Sequence, residues 1–272
     1  MIDLTTPSAR RTELFSAAAF FAVILIFTVW YMATHQAPAP YQPEVADMAD
    51  TPESLPPVVY EEHGQYFDVE ASYPAQTLLK GSLGDDADEN ALAIMEEFVM
   101  DTVDEFKSQG NFENLTPEDV QIMGLSETRK ESILISFEEK QGPKTVSYVF
   151  TLFVDTLGAH PNMFYRTFMF DRTTGDELSI GDLFVSGSDY LKRLSAISEF
   201  ELAKTLKDSA DVEYIREGVT PELVNFQSFA IEGGALLLVF PPYQVAPYSA
   251  GPQEVSIPLS QLSEILKPAY QP

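Results

Sequence analysis

The chain has 272 residues, of which 45% are hydrophobic, a formal net charge of −26 and no cysteine. This length and apolar content suffice for one or two domains with their own cores. The lack of cysteine excludes disulfides, thiol nucleophiles and thiolate metal sites, and the acidic balance argues against nucleic acid as a ligand, because a phosphate backbone needs a basic surface. Such a charge favours solubility, and it would also attract a cationic protein or peptide.

An apolar run of 20 residues, from Leu14 to Ala33, contains no charged side chain. Its length is typical of a helix that spans a bilayer. Two arginines precede it, and Trp30 and Tyr31 lie near its end, which matches the positive-inside rule with an aromatic anchor at the interface. We therefore predict a short cytoplasmic tail (residues 1–13), a single transmembrane helix (residues 14–33) and an extracytoplasmic remainder at the cell membrane. A cleaved signal peptide is the competing interpretation.

Residues 34–62 are rich in proline and acid and lack periodicity, which is typical of an extended linker. Beyond them we predict two α+β modules, residues 63–150 and residues 151–272, packed as one unit. In the first module, hydrophobic periodicity and turn signals predict a strand at 66–74, a helix at 91–110 and strands at 132–140 and 145–156. A strand and turn within 163–178, a helix at 188–209 and a short helix from Thr220 are predicted next. The chain then has a predicted hairpin at 228–240, a strand at 254–259 and a closing helix at 260–267. This order indicates an α+β fold in which helices pack on an antiparallel β-sheet.

Four acidic residues, Asp85, Asp86, Asp88 and Glu89, precede the first predicted helix. Clustered carboxylates are the ligands that calcium prefers, but the segment lacks the full EF-hand pattern. Carboxylates at a helix N-terminus also stabilise the free N–H groups and the helix dipole. We therefore interpret them as helix caps, and calcium binding stays an open alternative.

Three segments of the second predicted module carry a family resemblance: "LGAHPN" (157–162), "FMFDRTTGDELSIGDLF" (168–184), and "FPPYQVAPYSAG" (240–251) leading into "PQEVSIPLSQL". Their order resembles the extracytoplasmic domain of the RsiV-type anti-sigma factors, which also occurs with PdaC-type peptidoglycan deacetylases. Upstream, "VEASYPA" is similar to the companion module that usually precedes that domain. The resemblance covers most of residues 60–268 and is most specific in its last third.

The resemblance implies a binding domain outside the cell. In RsiV-type proteins this domain captures lysozyme, and capture leads to proteolysis of the anchor and release of a sigma factor. We therefore expect the partner to be a lysozyme-like cationic protein, with a peptidoglycan fragment as the alternative. Only residues 1–13 precede the predicted anchor, so we do not expect a cytoplasmic sigma-binding domain. The family's "PYEVAPYAAG" has Gln244 in place of its glutamate here, which removes one potential contact charge.

The stretch "FPPYQVAPYSAG" supplies most of the candidate binding residues. Prolines cannot continue a central strand, and a stiff loop has little entropy left to lose on binding. Tyrosines offer large amphipathic contact area, although both rings could equally cover the end of the core. We predict a partner-binding site that consists of Tyr243, Tyr248, Pro242, Pro247, Gly158 and His160.

His160 raises the question of catalysis or metal binding. No histidine or acidic residue stands at helical metal-ligand spacing to it, so that a structural histidine in a tight turn is the favoured interpretation. No serine lies in a Gly-x-Ser-x-Gly motif. The sequence therefore predicts a protein that is not an enzyme and has no catalytic residue, cofactor or metal. A hydrolase that uses His160 with a nearby carboxylate is the remaining alternative.

Overall fold

The computed structural model describes residues 55–79 and 85–271, without the side chains of residues 85 and 208. These residues fall within one compact unit, Glu53–Pro272. The predicted transmembrane helix at residues 14–33 lies outside the described residues. Within the two described ranges, no helix combines the length and the apolar character needed to cross a bilayer.

The first sheet has five strands in the order β1-β2-β3-β4-β5. The strands are β1 (Val58–His63), β2 (Phe67–Tyr73), β3 (Glu131–Gln141), β4 (Thr145–Asp155) and β5 (Asn162–Asp171). Neighbouring strands are antiparallel except β2 and β3, which are parallel. A parallel pair needs a crossover connection, and helices α1 (Asp85–Gly110) and α2 (Pro117–Met123) lie within it. The sheet is therefore mixed, and the prediction of a purely antiparallel sheet was wrong in this detail.

Helix α1 covers one face of this sheet with the apolar stripe that the sequence predicts. Met95, Val99 and Val103 on the helix are fully buried in one core cluster with the sheet residues. Phe98 packs edge-on against the rings of Phe150 and Phe168, at centroid distances of 5.5 and 5.4 Å. This packing explains why a long, charged helix forms here; it ends at Gly110 as predicted but begins at Asp85, six residues before the predicted start.

A second lobe follows, and its core is separate from that of the first sheet. It contains an antiparallel three-stranded sheet in the order β6-β7-β8, with strands β6 (Phe229–Glu232), β7 (Ala235–Phe240) and β8 (Gln253–Pro258). Helices α3 (Tyr190–Leu206) and α4 (Val212–Gly218) complete this lobe. Val149 of β4 packs against Ala230, Leu237 and Val239, so that the two sheets share a small apolar contact.

Two predicted boundaries differ from the structure. Strand β1 begins at Val58, inside the segment interpreted as linker (residues 34–62), because it pairs along its whole length with β2. Strand β4 runs from Thr145 to Asp155 and therefore crosses the predicted module boundary between residues 150 and 151. The described residues divide instead near the end of β5, where the first core gives way to the second.

Two predicted helices are also misplaced. The sequence predicts a short helix that begins at Thr220. In the structure the short helix is α4, which ends before that position at Gly218, and only a 3-10 turn, Leu223–Phe226, follows it. The closing helix expected at 260–267 is a 3-10 turn, Leu259–Gln261, followed by an irregular segment. There the Lys267 N–H donates to Leu183 O and the Val185 N–H to Ile265 O, at 2.9 and 2.8 Å. Pairing with residues 183–185 thus replaces the helical hydrogen bonds that the periodicity predicts.

Candidate functional site

The loop after β7 begins with a tight turn over residues 241–244. The Gln244 N–H donates to Pro241 O at 3.1 Å, and Tyr243 has a φ of 71°. This is the pattern of a type II turn, with proline in its second position and a positive φ in its third, where glycine or asparagine is usual. A left-handed conformation costs a side-chain-bearing residue about 1–2 kcal/mol. Stability alone does not explain a tyrosine at this position.

Hydrogen bonds from neighbouring elements hold this loop in place. The Gln244 side-chain amide donates to Gly218 O at 2.9 Å and to Asn225 O at 3.0 Å. The Tyr214 hydroxyl of α4 donates to Tyr243 O at 2.8 Å. The Gln244 side chain therefore faces the loop's own supports, and the interpretation of residue 244 as a missing surface contact charge is wrong for this chain.

A second loop, between β4 and β5, carries His160. The Leu157 N–H donates to an Asp155 carboxylate oxygen at 2.8 Å, and Arg129 donates to Leu157 O at 3.4 Å. Glu131, the first residue of β3, is buried near Asp155. Burial, and after it the charge of Asp155, raises the pKa of Glu131 above its usual value.

The two loops meet in a cluster of three rings, which we call the aromatic cluster: His160, Tyr243 and Tyr248. His160 Nε2 lies 2.8 Å from the Tyr243 hydroxyl, and the imidazole stacks on the Tyr248 ring with centroids 3.7 Å apart and planes at 17°. His160 Nδ1 lies 3.0 Å from Pro161 O. A carbonyl can only accept, so that Nδ1 carries a proton and, in the neutral ring, Nε2 accepts from Tyr243.

The predicted site residues fall into two groups. His160, Tyr243 and Tyr248 are in direct ring contact, and Pro242 and Pro247 each precede one of the tyrosines. Tyr243 is 52% exposed, so that its ring is available at the surface. Gly158 is exposed in the other loop, and an added methyl group there would meet no atom within 4 Å. Its role in binding stays a prediction.

The helix that supports the tyrosine-bearing loop carries exposed acidic groups. Tyr214, which holds the loop, lies on α4 between Glu213 and Glu217, and both glutamates are exposed. Glu213 pairs with Arg216 at 2.6 Å, while Glu217 has no ion-pair partner in the described part of the chain. An exposed tyrosine beside acidic side chains is suited to a cationic surface, through cation–π and charge contacts.

The arrangement does not resemble a hydrolytic centre. Both ring nitrogens of His160 are engaged, one by a backbone carbonyl and the other by a phenol. Among the described residues no carboxylate bonds to this imidazole, and orientation of a catalytic histidine by an acid is the usual arrangement of such centres. The hydrolase alternative would therefore have to use His160 with a backbone carbonyl, in place of a carboxylate, as the group that orients it.

Helix α1 begins at Asp85, so that the acidic residues expected to precede the helix lie within its first turns. Asp88 is buried, and its carboxylate accepts from the Thr77 N–H at 2.6 Å. This bond ties the first turn of α1 to the segment that follows β2. Among the side chains that the structure describes, no group of three or more histidines or acids is placed to hold a metal ion.

Sequence reasoning missed three supports of this site. Tyr214 and Gln244 position the loop, and Arg129 contacts the histidine-bearing loop. Tyr214 and Arg129 belong to no motif, and each of the three acts on a residue from another element. The only available signal was the departure from the family's "PYEVAPYAAG" at Gln244, which pointed to this residue but not to its inward contacts.

Comparison with known proteins relates this fold to a family without an assigned function. Residues 181–260 match DUF3298, described as a protein of unknown function. The crystal structure of a DUF3298 family protein from Pseudomonas aeruginosa has a TM-score of 0.56 and 17% identity, over 80% of this chain and 95% of that chain. At that identity the likeness shows the fold alone. The α+β fold is confirmed.

Two curated relatives match roughly half of this chain. The peptidoglycan-N-acetylmuramic acid deacetylase PdaC of Bacillus subtilis is 39% identical over 127 residues, which are 47% of this chain and 27% of PdaC. An esterase of Mycobacterium tuberculosis is 29% identical over 118 residues, 43% of this chain and 51% of the esterase. The chain thus spans about a quarter of PdaC and half of the esterase.

Proposed function

We propose that the chain is a membrane-anchored, extracytoplasmic binding domain that captures a cell-wall-related ligand, most concretely a lysozyme-like cationic protein. The observation that carries this proposal is the aromatic cluster. Two loops from different lobes converge there, and Tyr243 stays half exposed in a conformation that is unfavourable for a tyrosine. Strain that the surroundings maintain is more often found at functional positions than elsewhere.

Charge supports a cationic partner. The chain has 42 acidic and 16 basic side chains, and several of the basic groups already pair with acids in the described residues. Glu213 and Glu217 of α4 are exposed on the helix that holds the tyrosine-bearing loop, and we expect them to contribute to an acidic rim of the binding surface. Opposite charge on a partner would speed association and orient the complex.

The cellular setting rests on the sequence. The apolar run at residues 14–33 favours an anchor with the described residues outside the cytoplasm. A relative named as a peptidoglycan deacetylase is consistent with a role at the cell wall. The finer resemblance to RsiV-type domains supplies the choice of a lysozyme-like protein as the first partner to test.

We expect a one-to-one complex with hen-type lysozyme that weakens as salt increases, because charge contacts at the rim are screened. Substitution of either tyrosine, Tyr243→Ala or Tyr248→Ala, should weaken the complex by about tenfold or more, as is typical of buried aromatic contacts at interfaces. Calorimetric titration of residues 53–272 at low and moderate salt measures both effects. This fragment includes β1.

Two further variants make the titration specific. Tyr243→Gly removes the ring and relieves the positive φ, so that we expect lower affinity with unfolding stability preserved to within about 1 kcal/mol. Phe200→Ala removes an exposed aromatic ring, 67% exposed on α3, and should leave affinity unchanged. If no heat appears at either salt level, capture of lysozyme is ruled out for this chain.

The alternative ligand is a peptidoglycan fragment that stacks on the same rings. Sugar faces pack on tyrosines without net charge, so that this alternative predicts weak binding that is insensitive to salt. Titration with soluble glycan fragments under the same two salt conditions distinguishes it from protein capture.

Hydrolysis is a second candidate because two relatives are named as a deacetylase and an esterase. The test substrates are acetylated peptidoglycan and a chromogenic acetate ester. We expect no turnover of either substrate that depends on His160. The decisive comparison is the intact chain with its His160→Ala variant. A loss of turnover in a folded His160→Ala protein would establish the enzyme and contradict the binding-only proposal.

A further inference from the structure

A cavity of about 370 Å³ lies along the outer edge of β5, apart from the residues of the aromatic cluster. Its size is within the range of small-ligand sites. Its lining combines charged, polar and apolar side chains, among them Arg166, Thr167, Glu177, Asp182, Gln227 and Phe229.

The floor of this cavity is an unpaired stretch of strand. The Leu178 N–H donates to Met169 O at 2.7 Å, and the Asp171 N–H to Asp176 O at 3.0 Å, so that Met169 and Asp171 direct backbone groups away from β4. Alternate residues of an antiparallel strand point the same way. Thr167 therefore directs its N–H and C=O into the same open edge, where no strand of the described chain pairs with it.

The Thr167 side chain adds an unsatisfied group. Thr167 is only 5% exposed, and its hydroxyl has no hydrogen-bond partner among the described residues. Buried hydroxyls are nearly always bonded, because leaving one unpaired is unfavourable. Thr167 thus offers a backbone donor and a backbone acceptor at the open edge, while its own hydroxyl is buried behind them.

The charges around the cavity favour a neutral ligand. Arg166 lies 3.5 Å from Glu177 and also stacks over the Phe168 ring at 4.6 Å. The Asp182 carboxylate accepts from the N–H and hydroxyl of Ser179, at 2.9 and 2.6 Å. The excess of carboxylates disfavours an anionic ligand, and because each of the three charged groups already has a protein partner, the remaining uncharged groups suit a neutral polar ligand.

We propose that this cavity binds a secondary amide group of a neutral ligand. The amide carbonyl accepts from the Thr167 N–H, and the amide N–H donates to Thr167 O. Two sources carry this group: the acetamido group of an N-acetylated amino sugar, and a short extended peptide. The site goes beyond the proposed capture function and does not depend on it.

Ligand-observed NMR and calorimetry on the full chain in detergent micelles test the proposal with defined probes. N-acetylglucosamine represents the sugar source and N-acetyl-alanine-methylamide the peptide source, while glucosamine and glucose lack the amide. We expect at least one of the two amide probes to bind. We expect neither glucosamine nor glucose to bind. The amide probe that binds identifies the source. Binding by no amide probe, or equal binding by glucose, would overturn the proposal.

Two variants locate the binding. Thr167→Pro removes the N–H that the amide carbonyl accepts from, at an open strand edge where proline is tolerated, so that binding should weaken about three- to tenfold. Leu223→Trp, at a position 49% exposed on the cavity rim, should block binding without touching a core position. Unchanged affinity in both variants would refute the site.

His160→Ala serves as the control that separates the two sites. It removes the centre of the aromatic cluster and should leave amide binding unchanged. If His160→Ala abolishes amide binding while Thr167→Pro does not, the amide is bound at the aromatic cluster and the proposed cavity site is wrong. A failure of lysozyme capture, in contrast, leaves this result unaffected.

Discussion

Gly218→Ala is expected to lower the free energy of unfolding by about 2–4 kcal/mol, because backbone packs against this position. A methyl group on residue 218 would overlap the Gln244 carbonyl oxygen and lie 2.7 Å from its carbonyl carbon and 2.9 Å from a Val245 methyl. The end of α4 and the tyrosine-bearing loop would therefore have to separate. Urea unfolding of residues 53–272 measures the loss.

The same substitution should disturb the aromatic cluster in molecules that remain folded. The Gln244 amide donates to Gly218 O, so that separation of the two backbones also weakens the contact that positions Tyr243. Gly234→Ala is the matched control, because a methyl group there meets no atom within 4 Å, and its effect should stay within about 0.5 kcal/mol. Equal stability of the two variants would show that the close packing at Gly218 does not exist.

Asp171→Ala is expected to cost about 2–4 kcal/mol at neutral pH. One carboxylate oxygen accepts from the Thr173 and Thr174 N–H groups, at 2.6 and 3.2 Å, and the other accepts from the Tyr270 hydroxyl at 2.8 Å. Both Asp171 and Tyr270 are buried. Removal of the carboxylate leaves the Tyr270 hydroxyl without its partner, while Tyr270→Phe removes a single bond and should cost about 1 kcal/mol.

The cost of Asp171→Ala should depend on pH. Burial disfavours the charged carboxylate, but hydrogen bonds from the Thr173 N–H, the Tyr270 hydroxyl and the Thr174 N–H outweigh it and lower the pKa of Asp171. A carboxyl group with a lowered folded pKa contributes stability above its unfolded pKa of about 3.9, and this contribution is lost as the pH falls through the folded value. Urea midpoints of both proteins between pH 7 and pH 3 should therefore converge. A constant difference across that range would contradict the assigned bonds.

Local patterns predicted most of the regular structure. The apolar stripe of α1 and the apolar positions of β2 follow from periods of 3.6 and 2, which are set by the geometry of single elements. Where a segment's partner is elsewhere, the same reasoning failed. Residues 260–267 have helical periodicity but pair with residues 183–185 instead, and β2 pairs in parallel with β3 because α1 lies between them.

The sequence alone determined the acidic charge, the apolar N-terminal run, the α+β composition and the two tyrosines in a proline-rich loop, because each belongs to one contiguous segment. Tertiary structure alone decided which distant groups meet. His160 and Tyr243 are 83 residues apart, and Asp171 and Tyr270 are 99 apart. The open edge at Thr167 likewise depends on where residues 176–178 leave β5. Periodicity records which face of an element is buried, but it carries no information on the partner that buries it, and the packing of the two lobes supplies that partner.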